Sequence, residues 1–549
     1  MHKGLWRVVL ALCLIATLGL FAGCTPGPTG GGDTLIFGSS GDASRLDPAD
    51  VTDGESIQRM DNIFEGLVEY IPGTTEIQPC LAESWKVSSD GLKITFNLRE
   101  GVKFHDGSDF NADAVVFSFA RQYDADHEYH QYGDWAYWGY MFSDIDKLVK
   151  VDDYTVEVVL KNINASIMTS LAMFTANIVS PANAEKYGAD AFKNPSGTGP
   201  FKFVEWIKDD HITLEANNNY WRESAKLDKL IFKVIPDPSA RLLALEANEI
   251  QGMEYPDPAS IDRIKDNADL QLLTQAGMNV GYIALNCGYG YIDANENGVH
   301  DSDEPWEEVP GYIEALTKKE VRQAVNYAID KESIVKDLYK GTAIVAKNGM
   351  PPFMLGYNDA VKDYPYDPEK ARDLLASAGY PDGFKATLFV MPVSRPYMFD
   401  PPKIGEAIKA YLADVGIDIE LFQEDWSTYL EDTEAGKHEM CLLGWTGDNG
   451  DPDNFMNVLY GPNSASIGAA GNVAFYNNGE VQELLTKAVR TYDTDERAKY
   501  YKQAQEIIHE DAPWVYIAHS NQNLAFRANV QGYVINPTSR KFFYPVSIE

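Results

Sequence analysis

Two charged residues stand in loops that directly follow apolar, strand-like runs. Arg395 lies in "PVSRPY" after "KATLFVM", and Asp448 lies in "TGDNGDPDN" after "EMCLLGW". In open α/β sheets, ligands collect in loops beyond the carboxyl ends of strands. Pro396 restricts the backbone beside Arg395 and helps to aim its guanidinium, a group that grips a carboxylate through two parallel bonds. The plainer reading is a surface arginine paired with one of many nearby acids. Asp451 has a structural role, as N-cap of a helix "DPDNFMNVL" with Pro452 at its first position. Asp448 has no such role and is either a solvated loop carboxylate or a receptor for a cation. Tyr397 and Trp445 flank these two residues and either wall a pocket or pack into a core.

A third feature is "DANENGVHDSDE", which fits the calcium-loop pattern D-x-[DN]-x-[DN]-G-x5-E. Asp293, Asn295 and Asn297 fill the first three ligand positions, and Gly298 makes the sharp turn. Val299 offers its carbonyl, Asp301 follows, and Glu304 closes the loop. The approach "NCGYGYI" is strand-like and Pro305 blocks a helix leaving Glu304, so the loop is EF-hand-like rather than a full EF-hand. The bland alternative is an acidic solvated loop. The expectation is one structural Ca2+ held weakly, with a Kd of about 10⁻⁴–10⁻³ M, and no cofactor for function.

Catalytic motifs are missing. "HEYH" has the wrong spacing for HExxH, and there is no G-x-S-x-G elbow, Walker loop or strand-linked GxGxxG. The step "GTG" at Gly197–Gly199 lacks the Lys-Ser/Thr of a phosphate loop. Nothing pairs a nucleophile with a base, and no His/Cys/Met cluster points to haem or nickel.

The chain of 549 residues carries a formal charge of −36 and is 45% hydrophobic, so it has ample core and a surface that repels nucleic acid. Lys3 and Arg7 precede "VVLALCLIATLGLF", a run too short for a comfortable membrane span, and "AGC" follows. This describes an export signal over residues 1–23. Cys24 after Ala-Gly resembles a bacterial lipobox, with Phe21 where an aliphatic is usual. It is the expected lipidation site, followed by a flexible tether over 24–32. Cys80, Cys287 and Cys441 are scattered and read as small buried hydrophobes.

The elements that must position these residues are legible in outline. "TLIFGSS", "LKITFNLR" and "YTVEVVLK" are strand-like, and "NADAVVFSFARQY" has helical spacing with Asn111 or Asp113 as cap. Thr317 and Glu320 stand at capping-box spacing, and Asp367, Pro368 and Gly379 bracket a helix. From there strands and helices alternate to "EMCLLGW". A last helix, "DERAKYYKQAQEIIHEDAP", is followed by the strand-like "WVYIAH". That order argues for a partly parallel sheet covered by helices.

"LAESWKVSSDGLKITFNLREGVKFHDG", "NADAVVFSFAR", "NPSGTGPF", "VRQAVNYAIDKESIV" and "YDPEKARDLLASAGY" together resemble the family-5 extracellular solute-binding proteins of ABC importers, over nearly the whole mature chain. "MPVSRPY", "GWTGDNGDPDNF", "YKQAQEIIHEDAPWVYIAHS" and the terminal "VSIE" are similar to the dipeptide-binding branch. The resemblance implies an α/β, two-lobed periplasmic-binding-protein type II fold with a hinge of two crossing segments and an extra subdomain in the N-terminal lobe, near residues 81–190. Lobe I is expected over 33–285 plus 516–549 and lobe II over 286–515, with the calcium-type loop inserted at 288–312 beside the hinge. It implies that Arg395 holds a peptide carboxylate and Asp448 a peptide ammonium. A dipeptide spans only ~7 Å between its charges, so such a pair would select length. The implied function is an extracytoplasmic receptor, not an enzyme, a monomer that hands short peptides to permease subunits and touches the membrane through its lipid. An oligosaccharide receptor of the same family is the alternative, and a secreted hydrolase is weaker.

Overall fold

The computed structural model describes residues 34–295 and 298–549. The leader, Cys24, the tether and Asn297 lie outside the described residues. The chain opens with β1 (Thr34–Ser39) and then forms a separate antiparallel sheet of β2 (Ala82–Val87), β3 (Lys93–Leu98), β4 (Ile145–Asp152) and β5 (Thr155–Leu160), in the order β2-β3-β5-β4. Between β3 and β4 run α1 (Ala112–Tyr123) and the short α2 (Ala136–Met141). Asn111 caps α1, its side chain accepting the Ala114 N–H at 3.2 Å.

The main sheet has 12 strands. One half adds β6 (Phe201–Ile207), β7 (His211–Ala216), β8 (Lys229–Val234), β9 (Gly252–Glu254) and β10 (Leu270–Ala276) to β1. The other half holds β11 (Asn279–Leu285), β12 (Ala343–Val345), β13 (Phe384–Phe389), β14 (Ile417–Phe422) and β15 (Met440–Thr446). Its helices are α3 (Lys319–Ala328), α4 (Pro368–Ser377), α5 (Pro401–Asp414), α6 (Trp426–Glu434), α7 (Asp453–Tyr460), α8 (Gly479–Val489) and α9 (Thr494–Asp511). The last long strand, β16 (Trp514–Arg527), sits between the halves in the order β14-β13-β15-β11-β16-β9-β1-β8-β7-β6. The sheet is mixed: β13 runs parallel to β14 and β15, and β1 runs parallel to β8 and β9.

The two lobes are therefore joined through one strand. The first residues of β16 pair with β11 (Trp514 opposite Ala284), and its later residues pair with β10 (Asn521 opposite Ala276) and β9. The second crossing is the short link from β10 to β11. Asn279, buried there, staples the two crossings: its amide donates to Ser520 O at 3.0 Å and its Oδ1 accepts the Ser520 N–H at 2.9 Å. Since β11 lies in the second lobe's half, the first crossing comes near residues 277–279 rather than after 285.

Separate hydrophobic cores fill the two lobes and the small-sheet unit. Away from the hinge, the small-sheet unit also meets the second lobe directly. Arg490 Nη1 pairs with Asp144 Oδ2 at 2.6 Å and donates to Ile163 O at 2.6 Å, while the Ala165 N–H donates to Val489 O at 2.8 Å.

The helix attached to Asp367 folds as the sequence predicts, and the one attached to Thr317 does not. Asp367 accepts the Lys370 N–H, with Pro368 opening α4 and Gly379 at φ +97° beyond its end. Thr317 forms no capping box. It ends a preceding helical turn, Glu314–Thr317, and its hydroxyl donates to Glu314 O, so α3 starts at Lys319 without a side-chain cap. The insertion also differs in place. β11 runs away from the hinge for seven residues, about 20 Å. The loop that follows thus packs at the far end of the second lobe, against residues 463–475, and not beside the hinge.

Candidate ligand-binding site

Arg395 stands past the end of β13 on a tight turn. Its backbone N–H donates to Met398 O at 2.9 Å and its carbonyl accepts the Met398 N–H at 3.0 Å, with Pro396 and Tyr397 at the bend. The guanidinium carbon lies 4.6 Å from the centre of the Trp426 ring on α6, a stacking arrangement suited to a planar cation. Among the described residues no acid is within ion-pairing distance of it and no hydrogen bond satisfies it. Its charge reaches Tyr255, which follows β9 in the other lobe at φ +45°. Burial drives the Tyr255 phenol well above its usual range, and Arg395 opposes that trend.

Asp448 follows β15 in the same half of the sheet. Its carboxylate accepts from Tyr137 OH at 3.0 Å and from Asn454 Nδ2 at 3.4 Å. Asn454 belongs to the first turn of α7, and its Oδ1 receives both the Asp448 N–H at 2.9 Å and the Trp445 indole N–H at 3.1 Å. No cation answers the Asp448 charge among the described residues, and burial pushes its carboxyl up to about 6 against the two hydrogen bonds. Asp451 does not cap α7 by the expected one-residue scheme, because the helix begins at Asp453. It accepts the Asp453 N–H at 3.0 Å and forms a buried pair with Arg497 at 2.7 Å, which anchors the loop to α9.

The flanking aromatics separate. Trp445 is half-buried and serves the anchor loop through Asn454. Tyr397 is 7% exposed and belongs to the core: its ring lies so close to Gly444 that a Cβ there would come within 2.1 Å of it. Among the described residues its hydroxyl bonds to Met391 Sδ at 3.8 Å, and its ring packs with the second lobe's core. Sequence reasoning missed Tyr137, Trp426, Tyr255 and Asn454. Only Asn454 has a local signal, an amide in the first turn of a helix six residues past Asp448.

In the inserted loop, Gly298 has φ +72° and donates its N–H to Asp293 Oδ2 at 2.7 Å. Asn295 Nδ2 donates to Asp301 Oδ2 at 2.8 Å. Glu304, 8% exposed, accepts the N–H groups of Ala294 at 2.9 Å and Asp301 at 3.0 Å, which ties the start of the loop to its end. The Val299 side chain is exposed. Among the described residues, the His, Cys, Asp and Glu groups that converge as a set within 4.8 Å are Glu65, Glu69 and Cys80, not the acids of this loop. Arg222 pairs with Glu69 and donates to Cys80 Sγ in that set, so a cation already occupies it.

Residues 76–466 match the bacterial extracellular solute-binding proteins, family 5. The chain belongs to that family. Among its relatives, the dipeptide-binding protein of Escherichia coli is 38% identical over 532 residues, 94% of this chain and 95% of that protein. Heme-binding protein A of Haemophilus influenzae is 38% identical over 533 residues, 94% of this chain and 92% of that protein. The solved structure of the periplasmic binding protein DppA from Helicobacter pylori, in complex with the peptide STSA, superposes with a TM-score of 0.80 at 36% identity. It covers 94% of this chain and 98% of that one. Family-5 proteins bind solutes outside the cytoplasm, and no helix among the described residues is long and apolar enough to cross a membrane.

Proposed function

We infer that this protein is an extracytoplasmic receptor that captures short peptides, dipeptides foremost, and delivers them to an ABC importer. The observation that carries this reading is the pair of unanswered charges, a guanidinium at Arg395 and a half-buried carboxylate at Asp448, on loops at the same end of neighbouring strands. A zwitterion supplies one complement to each, and a neutral sugar supplies neither. Arg395 takes the peptide carboxylate bidentately with Trp426 behind it. Asp448 takes the ammonium, with Asn454 and Trp445 fixing its loop. The relatives named for peptide binding support the same class. The protein acts as a monomeric binder without catalysis, held to the membrane through lipid on Cys24 and unloaded by permease subunits. Closure of the lobes over the ligand excludes water and presents a loaded shape.

The inserted loop serves as a fastener in this reading. One Ca2+ is held by Asp293, Asn295, Asn297, the Val299 carbonyl, Asp301 and Glu304, at a distance from the peptide.

Calorimetry tests the function. Ala-Ala and Gly-Leu are expected to bind, and N-acetylated or amidated forms to bind far more weakly. Binding of cellobiose with no response to either dipeptide would sink the reading, and so would tight haem binding without peptide binding.

A further inference from the structure

The small-sheet unit sends one short helix onto the ammonium anchor. Helix α2 is pinned from behind: Trp135, at φ +51° and 5% exposed, donates its indole N–H to His130 O at 2.8 Å and lies under the Arg121 guanidinium at 4.9 Å. Trp138 packs on Tyr123 at 4.8 Å and on Phe142 at 5.7 Å. A non-glycine residue in the left-handed region costs energy and persists where the surroundings fix it. With those rings turned inward, Tyr137 and Met141, one turn apart, face the other lobe. The Tyr137 ring stands edge-on to Phe174 at 5.2 Å and its hydroxyl donates to Asp448 Oδ1 at 3.0 Å. Met141 Sδ lies 3.9 Å from the amide nitrogens of both Asn449 and Asn454. The face of α2 therefore covers the very loop that carries Asp448.

We propose that α2 is the gate of the ammonium subsite, and that Tyr137 is a positioning residue that keeps Asp448 ionised and aimed while the lobes close. This rests on the peptide-receptor reading above. Closing the lobes strips water from a carboxylate that has no protein cation, which is unfavourable until an ammonium arrives. The Tyr137 hydroxyl replaces one water on Oδ1 and leaves the other oxygen, loosely held by Asn454, to the ligand. Other ionisable groups near this loop are Tyr70, on which the Asp448 charge acts, Asp451 and Asp453 beside α7, and Arg497 and Arg490, which are paired with Asp451 and Asp144. None of them supplies a positive charge to Asp448, and Arg540, which also acts on Tyr70, is paired with Asp61. Closure is thus licensed by a free amino terminus.

The test is calorimetric titration of Ala-Ala between about pH 5.5 and pH 8.5 with the full chain, its Tyr137→Phe form and its Met141→Ala form. Wild-type affinity falls as the pH drops through Asp448's range. Tyr137→Phe binds about tenfold more weakly at pH 7, and its deficit widens toward low pH because loss of the hydroxyl raises the Asp448 pKa. Met141→Ala weakens binding by a constant, smaller factor. A Tyr137→Phe deficit below about twofold, or one that stays flat with pH, overturns the gate while the wild-type curve keeps the receptor reading standing. Wild-type protein that binds no dipeptide overturns the receptor reading itself.

Discussion

Asn454 holds Asp448 at both ends, taking its backbone N–H on Oδ1 at 2.9 Å and offering its amide to the carboxylate at 3.4 Å. A helix thereby fixes the orientation of a charge that sits on a loop. Asn454→Ala removes both contacts and strands the Trp445 indole N–H. Peptide affinity should fall by about 1–3 kcal/mol, read by calorimetry, while the contact proposed for Arg395 is left in place.

Asp448 gives a pH signature. Its folded pKa of about 6 lies above the unfolded value of 3.8, so the native state binds the proton more tightly. A raised carboxyl pKa destabilises the ligand-free fold above pH 6, and the penalty disappears as pH falls toward the unfolded value. Asp448→Asn should therefore melt higher than wild type above pH 6, by about 1–2 kcal/mol after allowance for residual solvent. The difference should vanish near pH 4. The same variant loses peptide binding, which separates stability from function at one residue.

Arg490 and Asp144 bridge the small-sheet unit and the second lobe. Asn162 and Asn164 both donate to Asp144, so its carboxylate is held for the arginine. Arg490→Ala should speed peptide release several-fold, about 1 kcal/mol, with little change in the association rate. Stopped-flow displacement reads the difference.

Gly444 lets Tyr397 lie flat on β15, since a Cβ would sit 2.1 Å from the ring. Gly444→Ala must push the ring off and with it the turn that carries Arg395. A loss of about 1–3 kcal/mol is expected from the melting curve, together with weaker peptide binding.

Glu304→Gln should abolish any rise in melting temperature on adding calcium, because the proposed calcium site would lose the carboxylate at its closing position. Wild-type protein should melt lower in EDTA. Indifference to both reagents removes the ion. Peptide affinity should be the same in every case.

The places of Arg395 and Asp448 follow from strand-and-loop grammar, while the roles expected of them come from the family resemblance. Arg395 and Asp448 each follow an apolar strand run, and a charge in such a place is legible in the residue order alone. Tyr137 is hidden because it comes from a different unit, 311 residues from Asp448, and no local pattern encodes such a contact. Only the first six residues of β16 look strand-like in sequence, because Ser520 and Asn521 then interrupt its run. Those polar residues sit where the strand leaves one core for the other, and Ser520 bonds to Asn279 instead of packing. The capping box at Thr317 fails for a local reason, since an extra helical turn already uses its hydroxyl.

The position of β16 also bears on how the chain is made. It lies in the middle of the sheet, yet it begins at Trp514, so it leaves the ribosome after every strand it pairs with. Until then β11 and β9 each present an unpaired edge, and neither lobe is complete. Assembly of the sheet waits for β16, and a chain cut short before Trp514 should be handled by the cell as unfinished rather than as a stable half.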